Sequence, residues 1–141
     1  MKQMYKRAKV DIGLLSQSIA SSNKTGGYFG MQMYGKALAV LNVGAMADTN
    51  TVKIELLQAK DESGTDSKAI EGASATITAS GALANGCALV EVDVFSLDIN
   101  NGFEYISAKV TTTGTIACGV VLLRGDGRFE PVQDAQAFAV V

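Results

Sequence analysis

Residues 103–125, FEYISAKVTTTGTIACGVVLLRG, constrain the fold more than any other part of the chain. Ile106, Ala108 and Val110 alternate with Tyr105, Ser107, Lys109 and Thr111, a period-two pattern that predicts a half-buried strand. After Thr113 and Gly114, a second run places Ile116, Cys118, Val120 and Leu122 on one face and Ala117, Gly119, Val121 and Leu123 on the other. Both faces of that run are apolar. Such a strand has to be covered on both sides, by another layer of its own chain or by a second protein. The pair reads as a long hairpin in a β-sandwich or barrel that associates with something else.

The rest of the chain repeats the theme. Residues 1–26 show no sustained period, and 21–27 are loop composition, so they read as an extended N-terminal arm lying along its own body or a neighbour. Residues 28–34, YFGMQMY, read as a short aromatic and Met-rich strand. Residues 36–46 alternate Ala37, Ala39, Leu41 and Val43 against Leu38, Val40 and Asn42, again apolar on both faces. In 51–59, Val52, Ile54 and Leu56 point inward. A polar loop over 60–68 leads to a strand in which Ala73, Ala75, Ile77 and Ala79 share a face. Asn85 and Gly86 signal a tight turn before a strand over 87–97, with Val90, Val92 and Val94 inward. The tail 129–141 ends in apolar Ala137, Phe138, Ala139, Val140 and Val141, which should pair or pack. Seven or eight antiparallel strands at this spacing predict a single-domain all-β sandwich or jelly roll over 27–141, behind an arm over 1–26.

Composition agrees. A chain of 141 residues with 48% hydrophobic and 18% charged residues is too apolar for disorder and long enough for one core. No run has the length of a membrane span and no signal-peptide pattern opens the sequence, which predicts a soluble protein made in the cytoplasm. Charge is uneven. Lys2, Lys6, Arg7 and Lys9 give the first ten residues +4, leaving 8 basic against 14 acidic residues in the remainder. An acidic body does not suit a phosphate backbone, so no nucleic-acid partner is expected.

The residues offer little chemistry. There is no histidine, which removes His-based nucleophile systems and His-ligated metals. Cys87 and Cys118 are too few for a structural zinc site and read as buried small apolar residues. Glu91 and Asp93 share a strand face and read as a solvent-facing acidic stripe rather than a catalytic pair. Asp98 to Gly102 lacks calcium-loop spacing and reads as a turn. Arg124-Gly125-Asp126 spells an adhesion tripeptide but sits where a turn is needed, and Asn23-Lys24-Thr25 matches a glycosylation sequon without a secretory route. No enzyme activity, cofactor or metal is expected.

Several short motifs, in order, carry a resemblance. They are Tyr28 with Gly35-Lys36 before a strand, Val43-Gly44-Ala45-Met46, Leu56-Leu57-Gln58-Ala59, Leu97-Asp98 with Asn101-Gly102-Phe103, and Leu123-Arg124-Gly125 with Arg128-Phe129 and Pro131-Val132. Over roughly residues 27–132 the chain resembles the head decoration, or cement, proteins of tailed bacteriophages. The resemblance implies a β-sandwich that binds the outside of an assembled capsid as a homotrimer, with the major capsid protein as partner and the virion surface as its location. On that reading Lys2, Lys6, Arg7, Lys9, Tyr28, Phe29 and Tyr34 are candidates for capsid contact. Ala117, Gly119, Val121 and Leu123 are candidates for the subunit interface. A head–tail connector or tail component, and less readily a β-sandwich ligand-binding module, are the alternatives.

Overall fold

The computed structural model describes residues 2–141; Met1, the first residue of the expected arm, lies outside the described residues. Nine strands run in chain order: β1 (Ala8–Ala20), β2 (Asn23–Thr25), β3 (Phe29–Gly30), β4 (Lys36–Val43), β5 (Thr51–Ala59), β6 (Lys68–Thr78), β7 (Gly86–Asp93), β8 (Tyr105–Thr112) and β9 (Thr115–Gly125). The helices among the described residues are single 3-10 turns at Met4–Lys6, Val94–Ser96 and Ile99–Asn101. Two antiparallel sheets result. The first has the order β1-β9-β4-β7, and the second has the order β2-β8-β5-β6 with β3 also on β8.

The wiring follows one rule. First pairs with last (β1·β9), the next strands with the next to last (β2 and β3 with β8), then β4·β7, then β5·β6. The pairs β4·β9 and β5·β8 join these into the two sheets. This is the rolled-up wiring of a jelly roll, and the chain is an all-β sandwich of that kind. Of consecutive strands, β5 and β6 form a hairpin, closed by the loop in which Asp61 accepts from the Ser63 and Thr65 N–H groups.

The expected hairpin over 103–125 is corrected by this topology. Both strands and their turn exist, but β8 lies in one sheet and β9 in the other. The two-residue link at Thr113 and Gly114 arches over the end of the core. Gly114 takes φ +76, and a Cβ there would lie 2.1 Å from the Asn50 amide nitrogen. The inward faces of β8 and β9 therefore look at each other across the core instead of sitting side by side. Asn85 and Gly86 likewise link strands of different sheets.

The buried set follows the alternation. Leu41, Val52, Ile54, Leu56, Ile106, Val110, Ile116, Val120 and Leu122 are all essentially inaccessible. No buried side-chain nitrogen or oxygen among the described residues lacks a partner. Thr112 donates to the Ile19 carbonyl, Ser107 donates to the Gly26 carbonyl, and Gln58 accepts from the Asp98 N–H.

Residues 8–20 belong to the sheet rather than standing outside it. β1 pairs along β9 from Ala8 to Ala20, so this part of the expected arm lies along its own body. Two register shifts, between Ile12 and Leu14 and between Leu14 and Gln17, break its alternation. Near the first, backbone meets backbone: a Cβ on Gly26 would lie 1.6 Å from the Gly13 carbonyl oxygen. Gly26→Ala should therefore cost at least about 1–3 kcal/mol, the usual range for overpacking, read as a lower midpoint in urea unfolding. Of 28–34, strand pairing keeps only Phe29 and Gly30; Met31 to Tyr34 turn instead, the Tyr34 N–H donating to the Met31 carbonyl. The tail beyond Gly125 forms no strand.

Candidate functional site

The surface that stands out is the outer face of the β1-β9-β4-β7 sheet. Register places its side chains in rows across four strands. One row is Val10, Leu123, Leu38 and Glu91; the next is Ile12, Val121, Val40 and Leu89. Seven of these eight are aliphatic. Ile12 and Leu89, at the two edges, are 58% and 59% exposed. A hollow of about 420 Å³ adjoins them where Gly119 has no side chain, lined by Ile12, Ser16, Asn42, Ala117 and Val121 among others. A sheet face bordering solvent ordinarily carries polar residues. Ala117, Gly119, Val121 and Leu123, expected from sequence as the interface set, all lie on this face. Sequence reasoning left out Val10, Ile12, Leu38, Val40 and Leu89. The parity of β4 and β7 held the signal for the last three, and the bulges in β1 hid the first two.

Charges frame the apolar rows. Beyond Val10 and Leu38, Ala8, Gly125, Lys36 and Asp93 form the next row, with Arg7 beside Lys36 and Glu91 in one shallow depression. Cys87 sits on the same outer face and is exposed, which corrects the expectation that both thiols are buried. It shares parity with Leu89 and Glu91, so outward was its only direction. Cys118 points into the core, where burial raises its pKa. A thiol reagent should label Cys87 alone in the folded protein, checked by mass after digestion; labelling of both would contradict this packing.

The expected capsid-contact residues separate. Lys2 pairs loosely with Glu130, and Lys6 lies 5.9 Å from the Tyr5 ring. Arg7 is exposed. Lys9 is buried: its ammonium donates to the Val132 carbonyl and pairs with Asp134, so its place among surface contacts is withdrawn. The tail supplies both partners, which makes burial of a lysine tolerable. The Tyr28 hydroxyl shares a hydrogen bond with Ser67.

Phe29 and Tyr34 are held around Arg124. Its guanidinium lies 5.5 Å and 4.7 Å from their ring centres, donates to the Asp11 carboxylate at 2.9 Å and to the Gly30 carbonyl at 2.6 Å, and is largely buried. The Arg124-Gly125-Asp126 tripeptide is thus an anchor and not a displayed loop. Beyond Tyr34 lies a crevice of about 390 Å³ formed by Met31 to Gly35, Phe95, Ile99, Glu104, Asp126 and Arg128. Phe95, on its rim, is 88% exposed.

The loop carrying Phe95 and Ile99 is pinned by Asp98. Lys68 first, then Asn101, lower the pKa of its carboxyl below the ordinary 3.8. A lowered folded value means that the contact contributes above pH 3.8 and is lost as pH falls through the folded pKa. Acidification into that range should loosen residues 94–103 before the core, seen as faster amide exchange there.

The chain is thus a jelly-roll sandwich whose four-stranded sheet carries a mostly aliphatic outer face. No protein-family model matches the chain, and comparison with curated proteins gives no match either. Solved structures do share the fold. The PBSX exported protein XepA matches with a TM-score of 0.52 at 8% identity, over 100% of this chain and 44% of that one. The structure of infectious bursal disease virus, Gx strain, matches with a TM-score of 0.52 at 7% identity, over 88% and 34%. An empty virus-like particle of cowpea mosaic virus matches with a TM-score of 0.50 at 12% identity, over 100% and 89%. The chain spans less than half the length of the first two. Among the described residues, no helix is long and apolar enough to cross a membrane.

Proposed function

We propose that this chain is a structural virion protein of a tailed bacteriophage, a decoration protein that binds the outer surface of the assembled head and bridges its subunits. The observation that carries the reading is the aliphatic outer face of the β1-β9-β4-β7 sheet, since an exposed apolar patch of this kind marks an interaction surface. Two further points support it. The sequence motifs between residues 27 and 132 resemble that family, and the fold is one found in virus particles. In this reading copies join as a homotrimer through the sheet face around Val121. The end of the sandwich then meets the major capsid protein, through Lys2, Lys6, Arg7 and the segment holding Tyr28, Phe29 and Tyr34, with Met33 and Phe95 added. Binding only to the assembled shell stabilises it by mass action, and several weak contacts per trimer combine through effective concentration. No catalytic step is involved.

The test is to incubate the purified protein with expanded, undecorated heads and pellet them. The expected result is saturable co-sedimentation and a higher melting temperature of the heads. A protein that ignores heads but assembles into rings or tubes would instead be a connector or tail component. One that does neither would end the virion reading.

A further inference from the structure

Residues 132–138 run along the outer edge of β1 without forming a strand, and one side chain does the work of a paired peptide. The Gln133 carboxamide accepts from the Val10 N–H at 3.1 Å and donates to the carbonyls of Ala8 at 2.8 Å and Tyr5 at 2.7 Å. An amide side chain has the donor and acceptor of a backbone unit, so it closes an edge that would otherwise be open to another strand. Lys9 holds the neighbouring Val132 carbonyl and Asp134, and the Phe138 ring meets Tyr5 edge-on at 4.8 Å. Among the described residues, every hydrogen bond and ion pair of 132–141 goes to Tyr5, Ala8, Lys9 or Val10.

We infer that this tail is exchangeable between copies: the tail of one chain closes the β1 edge of a second, and the second returns it. The docking surface is the β1 edge with Tyr5, Lys9 and Val10, and the occupant is residues 132–138 of another copy. Three observations argue for it. The tail recognises only residues 5–10, which any copy presents identically, so its contacts are the same within or between chains. The connection is weakly held: between Asp126 and Pro131 one backbone hydrogen bond reaches the body, from the Arg128 N–H to the Met33 carbonyl, with one loose ion pair from Glu130 to Lys2 at 3.5 Å. Six extended residues reach about 20 Å, enough to leave the home edge. Docking within one chain is also incomplete, since a crevice of about 650 Å³ remains between the tail and Val10, Asp11 and Ile12, and Val140 and Val141 stay exposed.

Exchange of an identical element costs little beyond the loss of an intramolecular connection. A short linker gives its own edge an effective concentration on the order of millimolar. Dilute chains therefore close on themselves, and copies crowded to that level exchange. This inference goes beyond the shell-binding reading and does not depend on it.

The test uses the full chain without heads. An equal mixture of isotope-labelled and unlabelled protein is studied by isotope-filtered NMR at about millimolar concentration. The expected result is a Tyr5–Phe138 cross-peak between labelled and unlabelled chains that fades on dilution. Mixing Lys9→Glu chains with Asp134→Lys chains should strengthen it, because like charges then meet within a chain and opposite charges between chains. Cross-peaks that stay within one chain in the wild-type mixture at every concentration would overturn the proposal. So would a charge-variant mixture of folded chains showing no more interchain signal than either variant alone.

Discussion

Arg124→Ala should destabilise the protein by about 3–5 kcal/mol, the cost of breaking a buried ion pair by removing one partner, out of a total near 5–15 kcal/mol for a domain. Asp11 is the reason. Its side chain is 10% exposed and that of Arg124 is 12%, so the carboxylate left behind can neither reach water freely nor find another cation. The substitution also frees the Gly30 carbonyl and removes the cation from between Phe29 and Tyr34. Arg124→Lys should recover only part of the loss. An ammonium keeps the charge but lacks the planar fork that bonds two acceptors while stacking on two rings. The paired change Arg124→Met with Asp11→Leu should cost less than Arg124→Ala alone, since it removes both charges. Urea unfolding of the variants measures this. If Arg124→Ala alone proved as stable as the paired variant, the ion pair would not be buried in the sense claimed. If the chain binds capsids as proposed, Arg124→Lys should weaken that binding beyond any change in stability, because Phe29 and Tyr34 lose their common anchor.

What the sequence showed and what it hid divide on physical grounds. Alternation reports which face of a strand is buried, because side chains point to opposite sides at every step. That local property placed Ile54, Val90 and Val110 inward; in the doubly apolar strands it separated Leu41 from Val40 and Val120 from Val121 without telling which face is the core. It does not report which strand is the neighbour. A two-residue link fits both a hairpin and an arch, so β8 and β9 read as paired when β8 lies between β2 and β5 and β9 between β1 and β4, all far away in sequence. β1 itself was concealed by its bulges: each extra residue shifts the parity, and Gly13 sits where the alternation fails. The same shift kept Val10 and Ile12 out of the candidate interface. Lys9 looked like its neighbours Lys2, Lys6 and Arg7, and its burial depends on Asp134, 125 positions later. Cys87 shares parity with Leu89 and Glu91 and so points outward; on an alternating strand that parity decides its burial, not the general tendency of cysteine to be buried.

If copies join through the sheet face as proposed, Val121→Asp should dissociate the assembly while leaving the single chain folded. Val121 lies in the middle of its row, between Ile12 on β1 and Val40 on β4, on the face that has no cover in one chain. In a trimer joined through this face, every copy would carry a carboxylate into an apolar contact. Burying a valine contributes about 1.5–3 kcal/mol, and the introduced charge adds a desolvation cost on top of that loss. At 1.4 kcal/mol per factor of ten, association should weaken by at least about 100-fold. In the isolated chain the residue faces solvent, so the fold should lose no more than about 1 kcal/mol of strand preference. Its neighbour supplies the contrast. Val120 points into the core, essentially inaccessible, and Val120→Asp should prevent folding. Light scattering gives the mass and circular dichroism the fold. A folded single chain from Val121→Asp, beside a larger wild-type assembly, is the expected pair of results. An unchanged mass would show that copies meet elsewhere, and would leave the aliphatic rows free to meet the capsid itself.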